Sequence, residues 1–386
     1  MRFRIDKLGV VIAALLAYGA FLAPLAQFRA NRIVPGEARS ILEALPDGLG
    51  TALLAFIVLS LILIVLKTPT VFRLVLGLVA LLVLAVLIGL SAGHLTPPEN
   101  TYARVSPASG FWLLSFAFAL VTADALARLK LPPLARVALL AAVAAAVAAL
   151  LMSGAWDGLS ILKEYGSRAE TFWLEASRHV MLALGSLAAA TLVGLPLGIL
   201  CHRVEALRAG VLNVLNIIQT IPSIALFGLL IAPLGWIALH VPGAAALGIR
   251  GIGAAPAFVA LFLYSLLPVV ANTVVGLAGV PRDANDAARG IGMTDRQRLF
   301  GVELPLAFPV ILTGIRIVLV QNIGLATIAA LIGGGGFGVF VFQGIGQTAM
   351  DLVLLGAVPT VALAFAAAIV LDAATELSSN KPGRAA

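Results

Sequence analysis

Along most of this chain the apolar residues do not alternate with polar ones. They run almost unbroken for about 20 positions and then stop at a short polar or glycine- and proline-rich break. A run of that length is what an α-helix needs to cross the hydrocarbon core of a bilayer. Ten stretches qualify: 8–26, 48–66, 72–92, 111–129, 134–152, 180–200, 211–237, 254–278, 308–332 and 352–373. The absence of a period-two pattern gives no support to a β-barrel. The expected fold is therefore all-α, a polytopic integral membrane protein of about ten helices. Pro196, Pro222, Pro233, Pro268 and Pro359 fall inside these runs, which is tolerable where neighbouring helices serve the freed backbone groups. The first run has a basic start (Arg2, Arg4, Lys7) and small residues near its end. It resembles a secretory signal in that respect, but its apolar stretch is longer and nine more follow, so it is expected to stay as a helix.

Composition narrows the class further. Hydrophobic residues are 61% of the 386 and charged residues 11%, where a soluble domain carries about a quarter charged. No soluble fold hides that much apolar surface, and a disordered chain needs the opposite balance. Aromatics at 7% are too few for a base-stacking surface, so the net charge of +7 is read as topology and not as nucleic-acid binding. With both termini on one side, sixteen of the 25 Lys and Arg fall on that side and eight on the other. This bias puts both termini in the cytoplasm. The lone Cys201 excludes an internal disulfide and a cysteine-built zinc site.

Four regions follow. Residues 1–152 hold five spans with short loops. Residues 153–178 are polar and amphipathic (Tyr165, Phe172 and Trp173 among Lys163, Glu164, Arg168, Glu170 and Glu175), as expected of a periplasmic segment lying along the interface. Residues 179–375 hold five more spans and nearly every motif, and 376–386 form a cytoplasmic tail. No internal repeat relates the halves, which counts against a carrier built from two related halves.

The most informative stretch is 280–305, VPRDANDAARGIGMTDRQRLFGVELP. It reads as two short helices outside the membrane. Pro281 and Asp283 or Asp286 favour a helix start. Gly290 and Gly292 break the first helix. Thr294 and Gln297 form a capping box for the second, and Pro305 closes the unit. The small apolar face (Ala287, Ala288, Ile291, Leu299) is too little to hold such helices by itself. Docking into a groove on a partner would supply the missing burial. A solvated basic loop fits the composition equally well.

The spacing breaks that tie. The stretch resembles the EAA motif of ABC-importer permeases: EAA, three residues, Gly, nine residues, Ile, one residue, Leu-Pro. Here Asp286-Ala287-Ala288 precedes Gly292 by the same gap. Val302, Glu303 and Leu304-Pro305 follow at the right distance, with Asp for Glu and Val for Ile. The runs NIIQTIPS (216–223), LFLYSLLPVVANTVVGL (261–277) and GIRIVLVQNIGLATIAALIGGGGFG (314–338) are similar to permeases of glycine betaine, choline and related osmoprotectant uptake systems. The likeness covers roughly 176–375, and residues 1–152 fit a subgroup with an extra N-terminal membrane domain. Residues 240–253 look like an enlarged periplasmic loop.

The resemblance implies a MetI-like five-helix permease core in the bacterial inner membrane. It implies a cytoplasmic ATP-binding ABC subunit gripping the 281–304 hairpin, a periplasmic substrate-binding protein, and a second permease copy or a paralogue. Coupling roles carry over to Asp286, Ala287, Ala288 and Gly292, and further to Gly290, Thr294 and Glu303.

Polar groups at membrane depth are costly and often functional. Gln219, Ser223, Asn272 and Asn322 are candidates to line a solute pathway, or else to bind helices to one another. Asp124 is read as the i,i+4 partner of Arg128 and Arg316 as a residue snorkelling to the interface. Gly333–Gly336 read as a flexible turn, since no Lys-Ser or Lys-Thr follows as in a phosphate loop. No catalytic residue, metal site or cofactor is expected: the four histidines are scattered, and no G-x-x-x-x-G-K-[ST] or G-x-S-x-G occurs. The rival readings are an ABC permease for another solute (methionine, a sulfonate, another amino acid), an ion-coupled carrier using Asp124, and a non-transporting scaffold.

Overall fold

A computed structural model describes residues 6–32 and 34–379. The chain divides into two compact units, Met1–Ser167 and Arg168–Ala386. Arg2, Arg4, Lys381 and Arg384, which enter the charge bias, lie outside the described residues.

The first unit holds α1 (Lys7–Phe21), α2 (Ile41–Ala44), α3 (Leu49–Val65), α4 (Thr70–Leu95), α5 (Ser109–Leu129), α6 (Pro133–Met152) and α7 (Ser160–Gly166). Asp6 starts α1 by accepting the Leu8 and Gly9 N–H groups at 3.1 and 3.4 Å, the capping that an exposed helix start needs. The core of the unit is a single cluster through α1, α3, α4 and α5, with Ile12, Leu16, Ile57, Leu84 and Phe118 fully buried. By contrast, α6 buries only Pro133.

Three short strands were not legible in the hydropathy pattern. They are β1 (Ala26–Arg29), β2 (Glu37–Arg39) and β3 (Arg104–Pro107), which form an antiparallel sheet in the order β2-β1-β3. Behind it Lys163 donates to the Ala103 carbonyl at 2.9 Å, and Glu164 lies 3.7 Å from Arg32 and 3.8 Å from Arg104. The short loops of this unit are thus structured.

The second unit holds α8 (Ala169–Arg203), α9 (Glu205–Thr220), α10 (Ser223–Leu229), α11 (Ile231–His240), α12 (Ala254–Ala278), α13 (Arg282–Gly290), α14 (Asp295–Arg298), α15 (Leu304–Ala326), α16 (Gly338–Gly346) and α17 (Met350–Ser379). At its centre α12 packs against α8 and α15, and α15 packs against α17.

Among the described residues, eight helical segments are long and apolar enough to cross a membrane. The shortfall from ten falls on the first two runs, and two later runs are reshaped without being lost. Helices α1 and α3 are only 15 and 17 residues long, because Leu22–Pro24 and Thr68–Pro69 end them early. The 211–237 run is three helices, broken at Ile221–Pro222 and again at Leu230. The 308–332 run leaves α-helix at Ala326 and continues as a 3₁₀ turn over Ile328–Ile332. The last ten residues of the expected interfacial segment are not a linker: α8 starts at Ala169 and runs through 35 residues. Nothing between Ala169 and Pro196 breaks a helix, and Glu170 sits at its positive end.

Candidate functional site

The 281–304 hairpin follows from local rules. Helix α13 begins after Pro281, with Asp283 in its first turn. It ends in a Schellman motif: Met293 N–H donates to the Ala288 carbonyl at 3.0 Å and Gly292 N–H to Arg289 at 2.9 Å, closing the last free carbonyls. That motif demands a left-handed residue just past the helix, and Gly292 has φ +84°. The gap from Ala288 to Gly292 is therefore a geometric requirement. Of the two glycines expected to break the helix, Gly292 does so and Gly290 is its last residue. The capping box of α14 forms as the sequence indicates. Gln297 N–H donates to Thr294 Oγ1 at 3.3 Å, and Thr294 N–H donates to Gln297 Oε1 at 2.9 Å.

A π-helical turn, Leu299–Glu303, then leads into α15. It places Glu303 in the interior at 3% exposure, where the carboxylate pairs with Arg203 at the end of α8 and with buried Arg298 at 3.3 Å. Arg298 also holds Asp295 at 2.8 Å. A buried carboxylate is stable only when so paired, and here the pairing fixes the hairpin to α8. On the other side of the hairpin Asp286, Ala287, Gly290 and Gly292 are exposed, Thr294 likewise, and Ala288 is buried. Ile291 and Phe300 stand 79% and 60% exposed. Exposed apolar side chains over a rigidly anchored base are the features of a docking surface.

The membrane-depth polar groups are drawn into specific bonds. Pro268 has no N–H, so the Tyr264 carbonyl four residues earlier loses its helical donor. Gln219 Nε2 takes that place at 2.8 Å, and the Tyr264 hydroxyl donates back to the Ile221 carbonyl beside the Pro222 break. Gln219 thus ties the end of α9 to the middle of α12, at the carbonyl that Pro268 leaves free. Asn322 is fully buried and donates to Ser186 and Ser265, 2.9 Å each, tying α15 to α8 and α12. Asn272 is half-buried, donates to the Pro268 carbonyl at 2.8 Å and abuts Gly314. Ser223 is half-buried at the start of α10.

Two features were not readable in the sequence. The Gly333–Gly336 run is no flexible turn: Gly334, Gly335 and Gly336 are buried. The N–H of Gly336 donates to Glu175 Oε2 at 2.6 Å and that of Phe337 to His179 Nδ1 at 3.3 Å. Gly335 has φ +78°, and a Cβ there would lie 2.6 Å from the Glu175 carboxylate. Glu175 and His179, one turn apart on α8, thus hold the glycine turn. The other feature is Arg316. The α15 helix starts at Leu304, so Arg316 lies about three turns inside it, and it pairs with Asp372, in the last third of α17. Asp124 does pair with Arg128, at 2.9 Å, but also with Arg73 at 3.5 Å.

Two family models match regions of this chain. The family model "Binding-protein-dependent transport system inner membrane component" matches residues 194–381, and "ABC transporter permease YehY, N-terminal domain" matches residues 6–162. The osmoprotectant import permease protein OsmW of Salmonella typhimurium is 44% identical over 195 residues, covering 50% of this chain and 84% of its own length. The choline transport system permease protein OpuBB of Bacillus subtilis is 38% identical over 203 residues, covering 53% and 84%. A structure of the MetNI methionine ABC transporter, inward facing, aligns at 22% identity with a TM-score of 0.47 over 54% of this chain and 95% of that one. An all-α, multi-helix chain carrying both matched regions and the EAA-type hairpin belongs to the binding-protein-dependent transport permeases: it is an inner-membrane permease component of the ABC-transporter class.

Proposed function

We propose that this chain is the permease subunit of an ATP-driven importer for a small osmoprotectant, a quaternary ammonium solute of the glycine betaine or choline kind. The observation that carries the reading is the hairpin. Its exposed face (Asp286, Ala287, Ile291, Gly292, Phe300) stands on the buried Glu303 anchor, and the relatives carry osmoprotectant and choline transport in their names. A cytoplasmic ATP-binding subunit would clasp that face, and a periplasmic binding protein would deliver solute to the opposite side. A second permease copy or a paralogue would complete the pathway. Both termini then lie in the cytoplasm, residues 1–152 form a separate membrane domain, and 179–375 form the transport core. Gln219, Ser223 and Asn272, all half-buried, flank the pathway, while sealed Asn322 acts as a staple between helices. Asp124 is committed to Arg73 and Arg128, which speaks against an ion-coupled carrier built on it.

The test is co-purification in mild detergent followed by uptake. A stoichiometric ATPase partner and uptake of labelled glycine betaine that ceases with ATPase loss are expected. Uptake that follows a proton or sodium gradient and ignores the ATPase would overturn the reading. An ABC permease for another small solute is the second reading, favoured if betaine uptake is absent while the ATPase still co-purifies.

A further inference from the structure

Between α15 and α17 lies a groove of about 560 Å3, lined by Arg316, Ile317, Val320, Gln321, Ala368, Ile369 and Asp372. Its walls are almost wholly apolar, and its polar groups are one amide and one ion pair of opposite charges. The Arg316 and Asp372 side chains remain 31% and 39% exposed, so both charges border the groove instead of being sealed behind it. A charged pair on membrane helices is costly to keep, and α15 and α17 pack on each other through apolar contacts without it.

We propose that this groove binds a zwitterionic solute, its carboxylate taken by Arg316 and its quaternary ammonium set against Asp372 and the apolar wall. The inference rests on the osmoprotectant reading above and adds a preference for solutes carrying both charges over a bare cation such as choline. A guanidinium offers a planar pair of donors matched to a carboxylate. A quaternary ammonium has no N–H to donate. It is satisfied by a diffuse counter-charge and methyl contacts, which Asp372 with Ile317, Val320 and Ile369 provide. The exchange also conserves charge. The internal pair opens only as the ligand offers a new partner to each member, so no ion is left uncompensated at any stage. A cation without a carboxylate would part the pair and strand Arg316, a costly state away from water.

The experiment compares uptake of radiolabelled glycine betaine and choline by the assembled transporter in wild type, Arg316→Gln and Asp372→Asn. Arg316→Gln should lower betaine uptake at least about tenfold, the scale of one lost charge-assisted contact, and choline uptake less than about twofold. Asp372→Asn should lower both. Equal losses of the two solutes in Arg316→Gln, or full uptake restored by the exchanged pair Arg316→Asp with Asp372→Arg, would reduce the pair to a structural clasp and overturn the proposal.

A binding readout separates this from failure of the transport reading. In purified protein, maleimide labelling of Val320→Cys, mapped by peptide, should be slowed by glycine betaine, and not slowed when Arg316→Gln is added. Slowed labelling with no betaine uptake would sink the transport reading and keep the site. Unslowed labelling with intact betaine uptake would sink the site and keep the transport reading.

Discussion

The two units place their buried charges differently. In the first, whose buried polar groups also include scattered serines, Thr122 and Glu164, charges gather around one arginine: Arg73, 3% exposed, holds Asp6 at 2.7 Å and Asp124 at 3.5 Å while donating to the Ile64 and Leu66 carbonyls at 2.8 and 3.1 Å. Arg128 adds a second cation to both carboxylates. In the second, neutral groups are spread along the helices (Gln219, Asn272, Asn322, Ser186, Ser265), and charges sit where an element must be held from outside its own helix (Glu303, Glu175, Arg316). Concentrated charge makes a lock that either closes or fails, whereas dispersed amides and hydroxyls let helices stay matched through small shifts. The first arrangement suits a scaffold and the second suits a part that changes shape.

That contrast breaks most visibly at Arg73. Arg73→Ala removes the buried partner of Asp6 and Asp124, leaving both to half-exposed Arg128 alone, and should cost about 3 kcal/mol, read as a drop in the thermal unfolding of purified protein, with uptake per folded molecule unchanged. A parallel loss of uptake would erase the division between scaffold and moving part. Asn322→Ala removes the donor shared by Ser186 and Ser265 and should cost about 2 kcal/mol. Unfolding by the same measurement should be milder than for Arg73→Ala; an equal or larger loss would show that the second unit also depends on a single lock. Gly292→Val forces a β-branched residue to positive φ at about 1–2 kcal/mol. A Cβ there meets nothing, so insertion and melting should change little while uptake is abolished. Normal uptake in that variant would remove the coupling role. Smallest is Thr294→Ala, which opens the capping box for about 1 kcal/mol and should weaken co-purification of the ATPase without abolishing it. Unaltered recovery would place α14 outside the docking surface.

What the sequence disclosed depended on reach. The Ala288-to-Gly292 gap, the Thr294–Gln297 box and the Asp124–Arg128 pair all lie within one helical turn or cap, where spacing alone fixes geometry. The long runs of apolar residues likewise announced the membrane helices, because hydropathy is a property of the segment itself. The contacts that position the site did not show. Glu303 meets Arg203 across 100 residues, Gly336 meets Glu175 across 161, and Arg73 meets Asp124 across 51. Such pairings depend on packing, which no local pattern encodes. The break at Ile221 was half legible: Pro222 announced it, but only Gln219 facing the carbonyl freed by Pro268 shows why the chain tolerates it. Strands of three and four residues are too short for alternation to register.

Helix α8 deserves to be considered as a mechanical part. Near one end Glu175 and His179 grip the glycine turn, and at the other Arg203 grips Glu303 of the hairpin. Between them it is most tightly held at Gly194 and Gly198, where an added Cβ would come within 2.8 and 2.6 Å of Val269 and Thr273. At 1.5 Å per residue the arm from this crossing to Arg203 is about 10 Å and the arm to Glu175 about 32 Å. A fulcrum so placed multiplies travel: a 1 Å pull on the hairpin swings the far end by about 3 Å. For a rigid bar the short arm trades force for distance, so a small, strong pull at the hairpin corresponds to a wide, gentle displacement at the glycine turn.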